Sequence, residues 1–423
     1  MGRERKPPFF LLHIVFLGTL LSAANSGFSQ SLTLKQAEVL ALAESPEIQS
    51  FRAKNESLYQ AAIAAGQLPD PHLFGGTLNV PVDTFNFNQT PMTQIQVGLG
   101  QAFPKGKSLR YQALEKKRLS EAEIFKLQTM CLDILQKVRL SWLHLYYWQQ
   151  SKNIILQQKK IFQDLLEVAK SMLANNKAQQ KDVIRAQLEL SELENRLIQI
   201  ELQIQTAQFQ LARWIGESQA YKAQTKNEPH WSLLPSKMRL LEVVKQHPEL
   251  QTDSANIAAF SAKVKLALQQ YKPGFNANVA YGFRQGREFD GRKRSDLLTA
   301  TVNMDLPVFT HNRQDRTLKA SEESLLASEK DRMSHFRNLR ESLNIQYATW
   351  QQQQKSSHLY QSSLIPQAKQ YANATMTAYQ NFQTDFPTLA RAYVRQLNTE
   401  LEGLKVSVDR DVSRINLLYL QGK

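Results

Sequence analysis

Apolar residues recur at helical spacing over most of this chain, and short segments of alternating residues interrupt that pattern twice. Apolar positions three and four residues apart predict amphipathic helices, because an α-helix turns once in about 3.6 residues. Each half of the chain has the same order of a helix, two alternating segments, a longer helix and a return helix. The predicted helices cover residues 33–67, 107–173 and 182–215 in the first half, and 236–271, 312–379 and 385–420 in the second.

The lengths of these helices constrain how they pack. At about 1.5 Å of rise per residue, each long helix spans on the order of 100 Å, and each short helix spans about half of that. A helix of this length needs neighbours along all of it. Two short helices placed end to end would match one long helix.

The return helix of the first half carries an unbroken apolar seam. Its members follow one another at steps of three and four: Val183, Ala186, Leu190, Leu193, Leu197, Ile200, Ile204, Ala207 and Leu211. A seam of this kind predicts coiled-coil packing. A second stripe, expected beside the first, consists of Ile184, Leu188, Ile198, Leu202 and Phe209. A closed ring of helices needs two such seams, although the stripes alone favour a plain antiparallel bundle.

The alternating segments predict four β-strands, near residues 72–82, 93–103, 274–284 and 297–309. In the third, Phe275, Val279 and Tyr281 fall on one face, and Asn276 and Asn278 fall on the other. About ten residues with one apolar face and one small or polar face is the pattern of a transmembrane β-barrel strand. A soluble sheet covered on its apolar side is the alternative, but no other part of the chain looks free to cover it.

The same alternation assigns the faces of the first strand. It places Phe74, Leu78, Val80 and Val82 on the apolar face, and Leu73, Gly75, Thr77 and Asn79 on the other. Four strands cannot close a barrel, because the smallest bacterial barrels need about eight. An open edge in lipid leaves backbone groups unpaired at several kcal/mol each, so we expect the chain to oligomerise.

The two halves also match in sequence, which predicts a duplication. Pro46, Glu47 and Pro71 correspond to Pro248, Glu249 and Pro273 at one constant offset, and the later match of Gly216 with Gly422 has a slightly larger one. The predicted organisation is a signal peptide at residues 1–30, a first repeat at 31–216, a linker at 217–235 and a second repeat at 236–423.

The N-terminus predicts export from the cytoplasm. Basic residues precede the apolar run Phe9–Leu21, and small residues follow it, as in a secretory signal peptide cleaved between residues 24 and 30. The remaining sequence has no apolar run of about twenty residues, so no membrane-spanning helix is expected. Among 423 residues the net charge is +14, but no nucleic-acid motif accompanies it, and no nucleic-acid partner is expected.

The sequence predicts no enzyme, cofactor or metal site. The single cysteine, Cys131, has no partner for a disulfide, and the eight histidines are scattered. His144 lies among aromatic residues and is interpreted as a core or interface residue. A basic loop between the third and fourth strands is predicted to be extracellular and to contact lipopolysaccharide phosphates or simply to be solvated. Its cations are Arg287, Arg292, Lys293 and Arg294.

Several motifs resemble the TolC family of outer-membrane efflux proteins over essentially the whole mature length. The segments 181–197 and 385–397 are similar to the family's two hairpin tips and return helices, although Pro387 stands where family members usually have a good helix former. The combination Leu-Pro-Asp-Pro followed by Asn-Val-Pro-Val-Asp, within residues 68–83, resembles the heavy-metal-efflux branch of CzcC-type and CusC-type components.

The resemblance implies a homotrimer with a twelve-stranded barrel and a twelve-helix periplasmic tunnel. It implies an outer-membrane conduit that docks on a periplasmic adaptor protein and on an inner-membrane pump of the resistance–nodulation–division class, exporting heavy-metal cations. Drug or small-molecule efflux and protein export are the alternatives within the family, and a secreted coiled-coil scaffold or adhesin is the alternative outside it.

The resemblance also implies that the two hairpin tips contact the adaptor. The candidate residues are Asn175, Asn176, Lys177, Asp182, Gln380 and Asp385. Asp385 is in addition the candidate for a carboxylate ring that constricts the pore. Asp182 and Asp385 could equally be N-caps of the two return helices.

Overall fold

The structure is a computed structural model that describes residues 32–223, 225 and 227–423. The predicted signal peptide, residues 1–30, lies outside the described residues. The chain is mainly helical with one small sheet, as predicted. Its elements in chain order are α1 (Leu34–Glu44), α2 (Pro46–Ala65), β1 (His72–Leu78), β2 (Gln94–Phe103), α3 (Ser108–Ala174), α4 (Gln180–Ile215), α5 (Glu217–Lys222), α6 (Lys237–Val244), α7 (Pro248–Gln269), β3 (Gly274–Arg284), β4 (Leu297–Asp305), α8 (Gln314–Leu359), a π-helical turn (Tyr360–Leu364), α9 (Ile365–Gln380) and α10 (Phe386–Leu420).

The first short helix of each half is divided in two, so the prediction of one continuous helix there is wrong. Pro46 begins α2, and the Ser45 hydroxyl caps it by accepting a hydrogen bond from the Ile48 amide at 3.2 Å. Pro248 begins α7 in the same way, with His247 at the cap. A proline lacks an amide proton and tolerates only the first turn of a helix, so each proline ends one helix and begins another.

The long helix α3 has 67 residues and runs without a break, as predicted. Its counterpart in the second half is interrupted by a π-helical turn between α8 and α9, so the prediction of an unbroken helix is wrong there. Pro366, just after that turn, cannot donate a helical hydrogen bond, and the wider turn accommodates the missing bond. Gly403 of α10 faces the turn, and a Cβ added there would lie 2.8 Å from Ile365 Cδ1.

Helix α3 is the centre of the helical part. It contacts α2 and α4 along its length, and it also contacts α7 and α10 of the second half. Near the hairpin tips its Phe162 and Leu165 are fully buried against α4 and α10. In the middle of the helix, Val138 and Trp142 pack against α1 and the end of α4. None of the helices in the described part of the chain is long and apolar enough to cross a membrane.

The apolar seam of α4 is buried as predicted, with Ala186, Leu193, Ile200, Ala207 and Leu211 at its centre. The second stripe lies on the opposite side of α4, so its expected position beside the seam is wrong. Leu202 follows Leu193 by nine residues, which is two and a half helical turns. The five stripe side chains are therefore open in the monomer: Ile184 is 56% exposed, Leu188 50%, Ile198 67%, Leu202 61% and Phe209 56%.

The four strands form one antiparallel sheet in the order β1-β2-β3-β4. The strands β1 and β4 are shorter than predicted, ending at Leu78 and Asp305. The hairpins β1–β2 and β3–β4 join through β2 and β3, with Val97 opposite Tyr281. Both of these apolar side chains lie on the open face of the sheet, where Val97 is 46% exposed and Tyr281 43%.

The register reverses the predicted faces of β1. Leu73 pairs with Leu99, and Phe74 pairs with Gly98. Paired residues in an antiparallel sheet point to the same side. Leu73 therefore belongs to the apolar face, while Phe74 and Leu78 lie on the face of small and polar residues. The absence of a side chain at Gly98 makes room for the Phe74 ring, because a Cβ there would lie 2.5 Å from Phe74 Cζ.

Candidate functional site at the hairpin tips

The two helical hairpins end in turns of the same geometry. Helix α3 ends in a turn in which the Lys177 amide donates to the Met172 carbonyl at 2.8 Å, and α9 ends with the Gln383 amide donating to the Ala378 carbonyl at 2.8 Å. The residue before each donor has a positive φ, 57° at Asn176 and 58° at Phe382. A left-handed residue after the last helical turn is a common way to satisfy the final carbonyls of a helix. Asparagine adopts it readily, whereas it strains phenylalanine.

The two tips contact each other. The Lys177 ammonium lies 5.3 Å from the centroid of the Phe382 ring, within range of a cation–π interaction. Phe382 is 59% exposed. The structure therefore brings the predicted tip residues of both hairpins to one end of the molecule. Asn175 lies at the tip of the first hairpin, directly after α3, and donates from Nδ2 to the Ser171 carbonyl at 2.8 Å. Gln380 is the exposed last residue of α9.

Asp182 supports the first tip, and the prediction that it is an N-cap is wrong. The helix α4 begins at Gln180, so Asp182 is its third residue, and its Oδ2 accepts a hydrogen bond from the Gln179 amide at 3.1 Å. Asp182 is only 8% exposed. Burial, together with the negative charge of Asp182, raises the pKa of Tyr379. The Tyr379 ring of α9 packs edge-on against Phe386 of α10 at 5.8 Å, so buried aromatic packing holds the two helices of the second hairpin together below its tip.

Asp385 is the N-cap of α10, as one of the two predicted roles requires. Its Oδ1 accepts a hydrogen bond from the Thr388 amide at 3.1 Å. Hydrogen bonds from Thr388, with a smaller contribution from the charge of Arg391, lower the pKa of Asp385. The residue is exposed and carries a negative charge at neutral pH. Pro387 is the second residue of α10, where a helix needs no amide donor, so it fits the tip without distortion.

A groove opens on α10 above the π-helical turn. It has a volume of 760 Å³ and is lined by Tyr360, Leu364, Tyr371, Arg391, Val394, Arg395, Asn398, Thr399 and Glu402. This groove could not be predicted from the sequence, although Pro366 inside a predicted helix indicated a break near the π-helical turn, whose residues Tyr360 and Leu364 line the groove. The Lys177–Phe382 contact could not be predicted either, because no local sequence pattern indicates a contact between residues so far apart in the chain.

The loops at the far end of the sheet hold the predicted basic residues in unequal surroundings. Arg292 is exposed and pairs with Asp290 at 2.6 Å, and Arg287 and Lys293 are exposed. Arg294 is only 8% exposed. Its guanidinium donates to the carbonyls of Asn88, Thr90 and Gln285, so it ties the two loops together and is not part of the exposed basic surface.

The second half of the chain matches a known protein family in sequence, and most of the chain matches solved structures in fold. Residues 240–423 match the family model described as "Outer membrane efflux protein". No curated protein matches the chain. Among the described residues, no group of three His, Cys, Asp or Glu side chains is arranged to hold a metal ion.

Solved channel structures superpose on most of the chain. The outer-membrane protein VceC from Vibrio cholerae has a TM-score of 0.76 at 17% identity, covering 92% of this chain and 96% of VceC. The outer-membrane channel OprN has a TM-score of 0.77 at 15% identity, covering 92% of this chain and 89% of OprN. CusC, described as forming a transmembrane channel, has a TM-score of 0.72 at 13% identity, covering 96% of this chain and 95% of CusC.

The superpositions show a shared fold, and at identities this low they show the fold alone. The second half of the chain thus carries the sequence pattern of the outer membrane efflux proteins, and the chain as a whole has the fold of outer-membrane channels.

Proposed function

We propose that three copies of this chain form the outer-membrane channel of a tripartite efflux system. The channel is a passive conduit and not an enzyme. It lies in the bacterial outer membrane and extends into the periplasm, where it meets a periplasmic adaptor protein and an inner-membrane pump of the resistance–nodulation–division class. The predicted signal peptide, with cleavage before the first repeat, would direct the chain to that location.

The observation that carries this proposal is the open apolar face of the sheet. Leu73 is 73% exposed, Val279 52%, Leu298 74% and Val302 70%, while the small residues Gly98, Gly100 and Ala280 on the other face are covered. A water-soluble sheet would cover its apolar face with another layer. Lipid is the environment in which such a face is favourable, and small or polar residues suit the inside of a barrel.

The edges of the sheet support the trimer. Within the described chain, β1 and β4 are the outer strands of the sheet and each pairs on one side only. An unpaired edge in hydrocarbon costs several kcal/mol for each backbone group, so the edges must meet neighbouring copies. Three copies of a four-stranded sheet would give the twelve-stranded barrel, and their helices would give the twelve-helix tunnel below it.

The hairpin tips are the proposed docking surface for the adaptor. Asn175, Asn176, Lys177 and Gln380 are exposed at that end of the molecule. Asp182 contributes through the conformation of the tip, since its carboxylate is buried against the turn. Exposed Asp385 is proposed to form a ring of three carboxylates that attracts cations at the pore constriction.

The exported substrate is proposed to be a heavy-metal cation. The motif in residues 68–83 supports this branch of the family, and the fold shared with CusC is compatible with it. Drug or small-molecule efflux is the competing assignment. A deletion strain that becomes sensitive to metal salts and keeps its tolerance of drugs and dyes supports metal export. The reverse pattern assigns the channel to drug efflux.

The experiment that tests the channel itself is fractionation followed by electrophoresis without boiling. We expect the protein in the outer membrane as a heat-modifiable trimer that conducts ions in planar lipid bilayers. A monomer in the soluble fraction would instead point to a secreted coiled-coil scaffold or adhesin.

The direction of the chain in the membrane is a separate proposal. The loops that contain Arg287, Arg292 and Lys293 lie at the end of the sheet opposite to the helices, so we place them outside the cell. Their exposed cations are suited to the phosphates of lipopolysaccharide. Surface labelling of Lys293 in intact cells tests this orientation, since a periplasmic loop would escape a reagent that does not cross the outer membrane.

A further inference from the structure

We propose that a cavity at the junction of the sheet and the helices binds the headgroup of phosphatidylglycerol. This inference rests on the proposed function, because it takes the sheet to lie in the outer membrane. The lipid would belong to the leaflet on the helix side of the sheet. Its phosphate and its glycerol hydroxyls are the groups that the cavity is suited to bind.

The cavity lies between α7 and the first turns of α8 and has a volume of 320 Å³. Its polar lining consists of Lys105, Lys263, Gln270, Arg313, Gln314, Thr317 and Ser321. None of its lining residues is a carboxylate. Asp315, next in sequence to Gln314, is engaged by the Tyr271 hydroxyl at 2.7 Å. The lining is therefore cationic and rich in hydrogen-bonding groups, which is the composition of an anion site.

The three cations of the cavity have no acidic partner. In the described part of the chain, no carboxylate oxygen lies within 4.0 Å of the charged nitrogens of Lys105, Lys263 or Arg313. By contrast, Lys319 of α8, outside the cavity, does have an acidic partner, because it forms an ion pair with Glu323 at 2.8 Å. Uncompensated cations that converge on one cavity repel one another unless an anion joins them.

Gln314 provides an independent indication of a bound group. This side chain is 6% exposed, and its Oε1 has no hydrogen-bond partner. A buried polar atom without a partner carries a desolvation penalty that a ligand can remove. A glycerol hydroxyl would donate to Oε1. Gln314 is also the first residue of α8, where no side chain caps the helix, so the positive end of the helix dipole favours a phosphate at the same place.

The turn that carries Lys105 is fixed against α7. Gly106 has a φ of 51°, and a Cβ there would lie 2.7 Å from the Gln269 side-chain oxygen. The same oxygen accepts a hydrogen bond from the Lys107 amide at 3.1 Å. Since the turn is held on both sides, Lys105 is positioned at the cavity before any ligand binds.

The cavity begins where the exposed apolar surface ends. Phe103 is 43% exposed, Phe275 43% and Phe309 83% at this end of the sheet. Lys105 follows Phe103 by two residues, and Arg313 follows Phe309 by four. Along a strand that leaves the membrane, aromatic residues are expected at the boundary between hydrocarbon and headgroups, and cations are expected just beyond them.

The test measures lipid retained by the purified trimer in native mass spectrometry after exposure to micelles that contain phosphatidylglycerol or phosphatidylcholine. The variant replaces three cations by glutamine: Lys105→Gln, Lys263→Gln and Arg313→Gln. The matched control makes the same change of charge on exposed, unpaired cations of α8: Lys330→Gln, Arg340→Gln and Lys355→Gln. We expect phosphatidylglycerol retention to fall about fivefold for each cation removed from the cavity, and to stay unchanged in the control.

A second variant guards against loss of structure. Gln314→Glu keeps the size of the side chain and places a negative charge in the cavity. It should abolish phosphatidylglycerol retention while the trimer remains intact on an unboiled gel. Equal retention by wild type and both cavity variants would overturn the proposal, as would phosphatidylcholine retention equal to that of phosphatidylglycerol. Displacement of the lipid by excess inorganic phosphate alone would identify a free-anion site and would also overturn it.

The same preparations separate this inference from the proposed function. A wild-type trimer that conducts in planar bilayers but holds phosphatidylglycerol no better than the cavity variants leaves the channel standing and refutes the lipid site. A chain that neither trimerises nor enters membranes refutes both.

Discussion

At the scale of single residues, glycine conformation explains how the sheet is joined to the helices. Gly106 combines a positive φ with close neighbours, since a Cβ would lie 2.5 Å from Lys272 Cδ, whereas Gly216 has a φ of 82° and open space around it. We expect Gly106→Ala to lower thermal stability more than Gly216→Ala. Both variants carry backbone strain of about 1 kcal/mol or more, but only the first also displaces the Gln269 oxygen that accepts from the Lys107 amide.

The measurement is the temperature at which the trimer dissociates and its helical circular dichroism is lost. Gly216→Ala is the control, because it carries the backbone strain without the clash. Equal losses in both variants would show that the turn at Gly106 adjusts to a side chain and does not fix Lys105.

Asp385 combines two roles that one pair of substitutions can separate. Asparagine is as good an N-cap as aspartate, whereas alanine removes the cap at a cost of about 1 kcal/mol. We expect Asp385→Asn to reduce the cation preference of the channel with a smaller loss of stability than Asp385→Ala, which removes the cap as well as the charge. The reversal potential across a bilayer with a salt gradient measures the first effect, and thermal unfolding measures the second.

The pH dependence of Asp385 follows from the lowered pKa of its carboxyl group. A depressed pKa in the folded state means that the charge and its stabilising contribution are present above the unfolded-state pKa and are lost as pH falls through the folded-state pKa. Cation preference in the wild type should therefore persist into the acid range below the ordinary pKa of aspartate. An unchanged cation preference in Asp385→Asn at neutral pH would exclude the carboxylate ring.

At the scale of elements, the π-helical turn before α9 is the largest departure from the repeated plan. Pro366 has no amide proton, and the corresponding stretch of α3 contains no proline. We expect Pro366→Ala to allow a regular helix and to slow amide hydrogen exchange in the segment Tyr360–Leu364. Pro387→Ala is the matched control, since Pro387 is in the first turn of α10 and removes no helical hydrogen bond. Unchanged exchange in Pro366→Ala would mean that the packing of Gly403 against Ile365, and not the proline, produces the turn.

The existence and type of the elements could be predicted from the sequence, because seams such as Ala186–Leu211 and the strict alternation near Val279 depend only on local periodicity. The face of β1 could not be predicted. Its Phe74 pairs with Gly98, and that register depends on a contact between distant segments. The breaks before Pro46 and Pro248 were visible in the sequence, and their prolines should have outweighed the apolar periodicity around them.

The candidate sites show the same division. That both hairpin tips contact one partner was implied by the family resemblance, and the N-cap role of Asp385 was one of the two roles that its position before α10 predicted. The burial of Arg294 did not follow, because its partners Asn88 and Thr90 lie about two hundred residues away in sequence. The cavity beside Gln314 was also beyond the sequence, since it combines residues from the β2–α3 turn, α7 and α8.

At the scale of the whole molecule, the apolar stripe of α4 is a helical surface that a single chain leaves largely uncovered. Its five side chains are half or more exposed although the seam opposite them is buried. An apolar stripe of this length is unfavourable in water and favours contact with another surface. In a ring of helices, a helix of a neighbouring copy would provide that surface. The stripe should thus be required for the trimer and dispensable for the fold of one chain.

Replacing Ile198 and Leu202 by glutamate tests this requirement. Both side chains are exposed in the monomer, at 67% and 61%, so the charges should leave each chain folded with its helical circular dichroism intact. Placed against a neighbouring copy, the same charges would be desolvated without partners, which costs far more than one contact contributes. We expect the double variant to run as a monomer on unboiled gels and in size-exclusion chromatography with light scattering. Ser218→Glu with Gln246→Glu adds the same charge to exposed positions outside α4 and should leave the trimer intact. A double variant that still forms trimers of normal heat resistance would place the interface elsewhere, and the ring of helices would then have to close through the exposed faces of α2 and α8.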